Sequence, residues 1–376
     1  MKLTDLFPGD DLWTAIEAGH VTRKTHPTLP LSILTYSPVC QYDNIWTPVT
    51  MACRGLVVDD SAGEIVAFPF PKIFVTDMHE RGFDFAPPLP AEPFEIFEKL
   101  DGSLIITFHY DGRWHTASKG SFISEQAQWA QGRIDESDTS RLDPSITYLA
   151  EAIYPGNRIV VDYGAREELV LLATYRPADG TDVPLSASTI AQWGTIGRPA
   201  MWWKAEDDIS VLVQQAAANQ TMRGAEVSGQ DEEGYVIRFA SGRRAKIKLT
   251  SYLVLHKLFT GTNERTIWEV LASGQDPSVL FDTAPDEFAD WARSVADTLR
   301  QRHSALVDEA VDAYADVMSV LPDDPDRKTF ALEAVKSPHK SALFMILDGN
   351  DDKVSSWAWK QIKPRGDVPF KNDEDN

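Results

Sequence analysis

The sequence predicts an α+β fold in which a larger domain of antiparallel strands, residues 1–250, precedes a smaller all-α domain, residues 251–376. Two observations predict this order. Up to about residue 249, short apolar runs that alternate as strands do are separated by clusters of turn residues. Beyond residue 251, apolar residues recur at intervals of three and four, as one face of a helix requires.

Composition and charge narrow the class of protein. The 376 residues are 43% hydrophobic, which is enough for packed cores in two domains. A net charge of −21 argues against a surface coated by nucleic acid but leaves room for a local basic cleft. Two cysteines, Cys40 and Cys53, cannot form a disulfide framework or a four-thiolate zinc site, so they indicate a reducing compartment. Because the sequence lacks a signal peptide and an apolar run of roughly 20 residues, we expect a soluble cytoplasmic protein.

Seven runs in the first domain have the composition of strands or helices. The strand-like runs are residues 55–58, 104–110, 158–161, 169–173 and 235–239. The helical runs are residues 124–133 and 209–219. Strands therefore dominate the predicted first domain.

The second domain shows helical periodicity and signals for helix ends. One apolar helix face is formed by Phe288, Trp291, Val295 and Leu299. Ser337 and Pro338 have the preferences of an N-cap and a first helical position, and Gly349 is typical of a helix stop.

The first motif that carries chemistry is Lys99-Leu100-Asp101-Gly102-Ser103. By itself it is compatible with a solvated turn, because Asp-Gly is common turn chemistry. A hairpin predicted just downstream, at Asp111-Gly112, changes this interpretation. If Tyr110 pairs with Arg113, the register brings Lys119 close to Lys99 in space. Repulsion between two lysines favours the neutral amine that a nucleophile needs, although a salt-bridged surface pair is the alternative.

A second hairpin is predicted from residues 232–249, with its turn at Ser241-Gly242-Arg243. Residues two apart in a strand share a face, so Lys246 and Lys248 project together while Ile247 and Leu249 face the core. Paired lysines of this kind suit a phosphate clamp. They also suit an ordinary exposed strand edge, which the local pattern alone favours.

Three further charged residues lie in apolar surroundings. Arg54 precedes a strand-like run. From there its planar guanidinium group can contact a phosphate or a ribose, or it can simply cap a loop. Lys72 is either a snorkelling lysine or a contact to a triphosphate. Glu151 lies inside an apolar run, and a buried carboxylate needs a hydroxyl, a cation or a metal as partner.

In their order along the chain, these elements resemble the signature of covalent nucleotidyltransferases, which include ATP-dependent DNA and RNA ligases and mRNA capping enzymes. The shared elements are Arg54-Gly55, Lys72, Lys99-x-Asp101-Gly102, Glu151, Glu233-Gly234-Tyr235 and Lys246-x-Lys248. Over roughly residues 40–260 the chain most resembles the phage T4 RNA ligase 1 family. The cues for that family are Lys99 to Leu104, Ser118-Lys119-Gly120-Ser121, Asn157-Arg158-Ile159-Val160, and Tyr252 and His256 after Lys248. The resemblance implies an antiparallel-sheet nucleotidyltransferase domain of the ATP-grasp-like ligase type.

The resemblance also implies a role for each matching residue. Lys99 attacks the α-phosphate of ATP and holds AMP, and Glu233 orients this lysine or a hydrated magnesium ion. The implied catalytic residues are Lys99, Lys119, Lys246 and Lys248, of which Lys246 and Lys248 grip the α-phosphate. The implied nucleotide-binding residues are Arg54 and Glu151 at the ribose, Tyr252 on the adenine, Lys72 and Lys119 at the β- and γ-phosphates, and Asp101, Gly102 and Glu233 around them. The implied metal-binding residues are Glu151 and Glu233.

The implied reaction is the joining of RNA 5′-phosphate and 3′-hydroxyl ends through lysyl-AMP and then RNA-adenylate, with ATP and Mg²⁺, for which Mn²⁺ can substitute. The implied partners are single-stranded RNA or cleaved tRNA ends. The implied setting is RNA or tRNA repair by a monomer in the cytoplasm of a phage-infected or bacterial host cell.

Two other functions stay open at this point. DNA ligases and other covalent nucleotidyltransferases share the lysine motif, but in those families an OB barrel follows the second lysine pair, where this chain is helical. A zinc element with four cysteines, as in NAD-dependent DNA ligases, cannot be built from two cysteines. The alternative from another class is a non-catalytic protein that binds RNA ends. For the helical domain, RNA specificity and a packing lid are the two interpretations.

Overall fold

The computed structural model describes residues 1–205, 208–276 and 286–364. The chain divides into two compact units, Met1–Leu255 and a second that begins at His256. The described strands all lie in the first unit, where every pairing between them is antiparallel. The described part of the second unit is helical. The predicted α+β fold class is therefore confirmed.

Thirteen strands form three sheets in the described part of the first unit. The first sheet has the order β1 (Val21–Thr25), β2 (Leu31–Tyr36), β3 (Arg54–Asp59), β4 (Glu64–Ala67). The middle sheet has the order β10 (Thr181–Val183), β9 (Glu168–Arg176), β8 (Thr147–Ile153), β6 (Ser103–Tyr110), β7 (Arg113–Ser118). The third sheet has the order β11 (Trp202–Lys204), β5 (Phe94–Glu98), β12 (Gly234–Phe239), β13 (Arg244–Lys248).

Helices surround these sheets and form the described part of the second unit. Those of the first unit are α1 (Leu3–Leu6), α2 (Asp11–Glu17), α3 (Pro38–Tyr42), α4 (Pro48–Ala52), α5 (Thr76–Glu80), α6 (Glu125–Asp135), α7 (Ala187–Trp193) and α8 (Ile209–Ala217). The remaining helices are α9 (Thr250–Gly261), α10 (Glu264–Ala272), α11 (Asp286–Ser319), α12 (Arg327–Ala334), α13 (Lys340–Leu347) and α14 (Asp351–Gln361). Among the described residues, none of these helices combines the length and apolarity that a membrane crossing needs.

The middle sheet is covered on both faces. Ile106 and Phe108 of β6 pack with Ile33 of the first sheet in one buried cluster. Their neighbour Ile105 points to the opposite face, where it packs with residues of α6 and with Trp193 of α7. Burial of each such side chain contributes about 1.5–3 kcal/mol. This two-sided burial explains why β6 is almost continuously apolar rather than alternating.

Both predicted hairpins are confirmed. Tyr110 pairs with Arg113, and the turn residues Asp111 and Gly112 both have positive φ angles, of 49° and 76°. The second hairpin joins β12 to β13, in which Lys246 and Lys248 are half-buried and Ile247 between them is buried. Each hairpin therefore brings the lysine at the end of its second strand back next to the start of its first strand.

Helix predictions were largely confirmed, with one error at a helix start. The run 124–133 is α6 with Ser124 as its N-cap, and the run 209–219 contains α8. The apolar residues from Phe288 to Leu299 lie in α11. Ser337 is not the N-cap expected: α13 begins at Lys340 and His339 occupies its N-cap position, while the Ser337 hydroxyl accepts a hydrogen bond from His339 N–H (3.1 Å) in the preceding turn.

The strand predicted at residues 158–161 is wrong. A short 3₁₀ turn, Pro155–Asn157, precedes this segment, which has no strand partner. The backbone N–H groups of Val160 and Val161 instead donate to the Asp101 carboxylate at 2.8 Å each. The segment satisfies its backbone through a side chain, which an apolar run in the sequence does not reveal.

Gly234 lies where the third sheet is most tightly packed. Its φ is +139°, and a Cβ atom there would lie 2.2 Å from the carbonyl oxygen of Ile247. We expect Gly234→Ala to lower the free energy of unfolding by about 3 kcal/mol or more, because backbone must move to relieve the clash. Urea unfolding measures this loss. Gly112→Ala is the control, since nothing lies within 4 Å of its Cβ position, and it should cost only the left-handed strain of about 1–2 kcal/mol. Equal losses would contradict the steric argument.

Candidate active site

Lys99 follows β5, and its backbone N–H donates to Gly234 O of the neighbouring β12 at 2.9 Å. Its side chain ends on a carboxylate, with Nζ 2.6 Å from Glu233 Oε2. The ammonium of Lys248 lies 2.9 Å from the other oxygen, Glu233 Oε1. The Glu233 side chain has no exposed area, while those of Lys99 and Lys248 are 11% and 12% exposed. One buried carboxylate therefore holds two lysines that the sequence separates by 149 positions, from 99 to 248.

The charge state of Lys99 follows from this arrangement. Burial favours the neutral amine, but the carboxylates of Glu233 and Glu151 outweigh it, and the pKa of Lys99 is raised. The pKa of Glu233 is lowered: burial raises it, but Lys99 and Lys248 lower it further. In the protein without nucleotide, Lys99 is thus an ammonium ion.

The pKa of Lys99 is raised, so the lowering expected from the approach of Lys119 in the hairpin register is wrong. The Nζ atom of Lys119 lies 5.4 Å from the centre of the Tyr36 ring, and the ammonium of Lys72 lies 4.8 Å from the same ring. The charge of Lys119 contributes to lowering the pKa of Lys72. The register brought the backbones together as predicted, but the side chain of Lys119 extends to another partner.

A cluster of cationic side chains lies around Lys99 and Lys248. Burial lowers the pKa of Lys246 well below its ordinary value, as do the neighbouring charges of Lys99, Arg54 and Lys248. Burial, Arg54 and Lys119 lower the pKa of Lys72 to about 7. Cations gathered in this way suit a polyvalent anion, which would relieve their mutual repulsion.

Lys72 has aromatic surroundings. Its Nζ lies 4.4 Å from the centre of the Trp46 ring and 3.4 Å from the hydroxyl of Tyr36. Aromatic faces attract an ammonium, although less strongly than a carboxylate does. The cation is therefore held in place while its charge remains available to a ligand.

Asp101 is a structural anchor of the site. Its Oδ2 accepts from the N–H groups of Val160 and Val161, and its Oδ1 accepts from the hydroxyl of Tyr252 at 2.7 Å. The hydroxyl of Tyr163 accepts from Asp101 N–H at 2.8 Å. With both of its oxygens engaged and only 2% exposure, Asp101 shapes the pocket rather than contacting a nucleotide directly.

The structure does not place Tyr252 where it can stack on adenine. Its ring is fully buried, with the Lys248 ammonium 5.1 Å from the ring centre, and it does not line the pocket that contains Lys99. Because its hydroxyl is held by Asp101, turning the ring outward would break a buried hydrogen bond. The stacking role expected for Tyr252 is therefore corrected to support of Asp101.

Gly102 lets the lysine loop approach β8 closely. Its N–H donates to Glu151 Oε1 at 3.1 Å, and a Cβ atom here would lie 2.5 Å from Ala152 O. Glu151 lies opposite Leu104 in the pairing of β8 with β6. The carboxylate of Glu151 is thereby fixed on the wall of the pocket, beside Lys99.

The pocket has two chemically different ends. Arg54, Lys99, Lys246, Glu151 and Glu233 line its charged end. The apolar and guanidinium groups that line the remainder include Phe70, Phe97, Leu172, Ala200, Val236 and Arg244. Of these, sequence reasoning could have found Arg244, because it lies two positions before Lys246 on the same face of β13.

The carboxylates of this pocket fit the expected metal site only in part. Among the described residues, no group of three or more His, Cys, Asp or Glu side chains could hold a metal ion. Glu233 does not fit as a direct ligand, because lysine ammoniums lie at 2.6 and 2.9 Å from its two oxygens. Glu151 fits better, since it faces the pocket beside the cations. One carboxylate is enough for a hydrated magnesium ion that takes its other ligands from phosphates.

Antiparallel sheets and a lysine-lined pocket characterise the first unit, as expected for the class of ATP-dependent ligases that the sequence resembles. The chain belongs to the RNA ligase family: the model of that family, of the T4 RNA ligase 1 type, matches residues 52–258. This match confirms the resemblance found in the sequence.

Two relatives and one solved structure illustrate the similarity. A viral protein of Autographa californica nuclear polyhedrosis virus, described as a candidate bifunctional polynucleotide kinase/RNA ligase, is 27% identical over 34% of this chain, but the match spans only 22% of that protein. An RNA ligase of Rhodothermus phage RM378 is 20% identical over 89% of each chain. A solved archaeal ATP-dependent RNA ligase is 15% identical, with a TM-score of 0.42 over 90% of this chain and 79% of the other.

Replacing Lys72 by methionine tests the cation cluster. The pKa of Lys72 is about 7 in the folded protein, against the ordinary value of 10.5 for a lysine in an unfolded chain, so the unfolded chain binds more protons between these values. Stability therefore rises with pH across this window, and the full penalty is felt below pH 7. We expect Lys72→Met to raise the melting temperature by about 3 °C or more near pH 6. The gain should shrink towards about pH 10.

The control for this measurement is Lys24→Met, which replaces an exposed lysine of β1. It should leave the melting temperature nearly unchanged at every pH. A Lys72→Met protein that is less stable than the wild type near pH 6 would contradict the buried-cation account.

Replacing Tyr252 by phenylalanine separates the two roles considered for this ring. Loss of the hydroxyl leaves Asp101 Oδ1 without its 2.7 Å donor. We expect the free energy of unfolding to fall by about 1–3 kcal/mol, measured by urea denaturation. Tyr42→Phe is the control, because Tyr42 is 83% exposed. A stacking role would instead leave Tyr252→Phe as stable as the wild type.

Proposed function

We propose that this chain is an ATP-dependent RNA ligase that captures AMP on Lys99 and then joins an RNA 5′-phosphate to a 3′-hydroxyl. The observation that carries the proposal is a nearly buried lysine, held with Lys248 on one carboxylate, at the charged end of a two-ended pocket. Membership of the RNA ligase family supports the same assignment.

The two ends of the pocket suit the two parts of ATP. The apolar walls formed by Phe70, Leu172 and Val236 offer a slot for the adenine ring. The charged end offers Arg54 and Glu151 to the ribose and the neighbouring phosphate. This placement assigns the base to residues other than Tyr252.

The remaining cations suit the triphosphate. Lys246 and Lys248 lie beside Lys99 and are assigned to the α-phosphate, whose charge they would neutralise. Lys72 and Lys119, which share the Tyr36 ring, are assigned to the β- and γ-phosphates. A bound triphosphate would raise the lowered pKa values of Lys72 and Lys246, so we expect proton uptake on binding.

In the first step, Lys99 Nζ forms a bond to the α-phosphorus, and the bond from that phosphorus to the bridging oxygen of pyrophosphate breaks. The amine must first lose its proton, and the nearest acceptor is Glu233 Oε2 at 2.6 Å. Charge then develops on the pyrophosphate oxygens, where Lys72 and Lys119 are assigned to stabilise it. The side chains are positioned before ATP binds, and the proton uptake expected on binding completes their charge.

Glu151 is the residue assigned to a hydrated Mg²⁺ ion, for which Mn²⁺ can substitute. When bound, such an ion supplies positive charge next to the phosphates and favours the neutral form of a nearby amine. Of the two roles expected for Glu233, we assign to it the orientation of Lys99 rather than that of a hydrated magnesium ion.

In the later steps, the RNA 5′-phosphate displaces Lys99 from AMP, and a 3′-hydroxyl then displaces AMP from the RNA-adenylate. The proposed substrates are single-stranded RNA or cleaved tRNA ends, in RNA or tRNA repair. We assign RNA specificity to the helical unit that begins at His256. The proposed working form is a cytoplasmic monomer.

Incubation with α-labelled ATP and Mg²⁺ tests the nucleophile. We expect a labelled protein band that pyrophosphate discharges in the wild type. We expect at least about a thousandfold less label in Lys99→Ala, because no other amine occupies its place on Glu233 Oε2. Lys24→Ala, which removes an exposed lysine of β1, is the control and should label normally. Label that persists in Lys99→Ala would refute the assignment.

The labelled protein is then offered two polynucleotides. Circularisation of a 5′-phosphorylated RNA oligomer supports RNA ligation. Sealing of nicked duplex DNA without RNA circularisation would instead favour a DNA ligase. A wild type that binds RNA ends but never becomes labelled would favour the non-catalytic alternative.

A further inference from the structure

Strand β13 presents three cations from one face. Arg244, Lys246 and Lys248 alternate with Ala245 and Ile247, which are buried on the opposite face. Successive side chains on one face of an antiparallel strand are about 7 Å apart. Lys248 forms an ion pair with Glu233 at one end of this row of three side chains. Arg244 therefore lies at the other end of the row, away from Glu233 and Lys99.

The guanidinium of Arg244 is fixed by three partners. Its Nη1 lies 2.8 Å from Asp182 Oδ2 and donates to the hydroxyl of Tyr175 at 3.1 Å. Its central carbon lies 5.1 Å from the centre of the Phe70 ring. The Arg244 side chain is only 9% exposed. A long side chain held in this way has lost most of its rotamer freedom before a ligand arrives.

The pairing of β12 with β13 makes this position unusual. Arg238 lies directly opposite Arg244, and like charges in such a pair repel each other. Asp182 resolves the repulsion, because its Oδ2 is 3.1 Å from Arg238 Nε as well as 2.8 Å from Arg244 Nη1. Since Asp182 belongs to the middle sheet and both arginines to the third sheet, the triad ties the two sheets together.

Arg244 also lines the pocket that contains Lys99, at its apolar end near Phe70 and Leu172. Within the described part of the chain, its hydrogen bonds all come from Nη1. The Nε and Nη2 groups of the same planar fork point in other directions and carry further N–H donors. The pocket is thus lined by a fixed guanidinium that retains further hydrogen-bond donors.

We propose that Arg244 recognises the purine base in the pocket by donating a hydrogen bond to one of its ring nitrogens. This inference rests on the proposed function, since it assumes that ATP occupies the pocket. It goes further, because it assigns base recognition to a residue outside the lysine motifs. Ring nitrogens of a purine are neutral acceptors, and a rigid guanidinium that donates to one of them forms a strong, directed hydrogen bond.

The test combines protein and nucleotide variants. Single-turnover formation of labelled protein is measured against nucleotide concentration for ATP and its 1-deaza, 3-deaza and 7-deaza analogues, each of which lacks one ring nitrogen. For Arg244→Ala with ATP, we expect a rise of about tenfold to a hundredfold in the half-saturating concentration, as for loss of a charged hydrogen bond. The rate at saturation should change little, since the contact is the same before and during reaction.

The decisive result is the coupling between the two changes. For the wild type, one deaza analogue should raise the half-saturating concentration as much as Arg244→Ala raises it for ATP. For Arg244→Ala, the same analogue should cause no further rise, and this result would identify the ring nitrogen that accepts the hydrogen bond. Additive losses for all three analogues would overturn the proposal.

Two matched variants separate base recognition from sheet packing. Arg238→Ala removes the other arginine held by Asp182, and Arg243→Ala removes a neighbouring arginine that donates to Pro87 and Pro88 carbonyls outside the pocket. Both should keep the wild-type ranking of the analogues. If Arg238→Ala reproduces the coupling of Arg244→Ala, the triad acts only as a clamp and the proposal fails. A wild type that takes up no label from any nucleotide would instead contradict the proposed function itself.

Discussion

The candidate site depends on one buried carboxylate. Glu233 has no exposed side-chain area, and a buried charge without partners would cost several kcal/mol. Its partners come from the ends of two strands, since Lys99 follows β5 and Lys248 ends β13. The ion pairs therefore fix the proposed nucleophile and close the end of the third sheet at the same time. The same ion pairs therefore serve both the proposed chemistry and the stability of the fold.

Beside these ion pairs, charge is arranged unfavourably for the protein alone. Lys246 and Lys72 have lowered pKa values because they are buried near other cations. Such a cluster destabilises the empty protein and stabilises a complex with a polyanion by a corresponding amount. The charge of Glu233 is compensated by its two lysines before any ligand binds. The charges of Lys246 and Lys72, in contrast, are compensated only when an anionic ligand binds.

Local patterns in the sequence predicted much of this arrangement. The turn at Asp111-Gly112 set the first hairpin, and the alternation around Ile247 set the lysine face of β13, because both depend on backbone geometry over a few residues. Side-chain direction was less predictable. Lys119 returned as expected but turned to the Tyr36 ring, and Tyr252 turned inward to Asp101. These choices depend on partners that are distant in sequence, which neither periodicity nor register encodes.

The raised pKa of Lys99 has a consequence for the resting protein in the cell. An ammonium ion has no lone pair, so Lys99 is unreactive towards cyanate, sugar aldehydes and reactive acyl groups while Glu233 holds it. A permanently neutral amine in the same pocket would be open to carbamoylation and glycation. Ion pairing thus delays nucleophilicity until the proton of Lys99 passes to Glu233, and until then it protects the lysine from chemical damage.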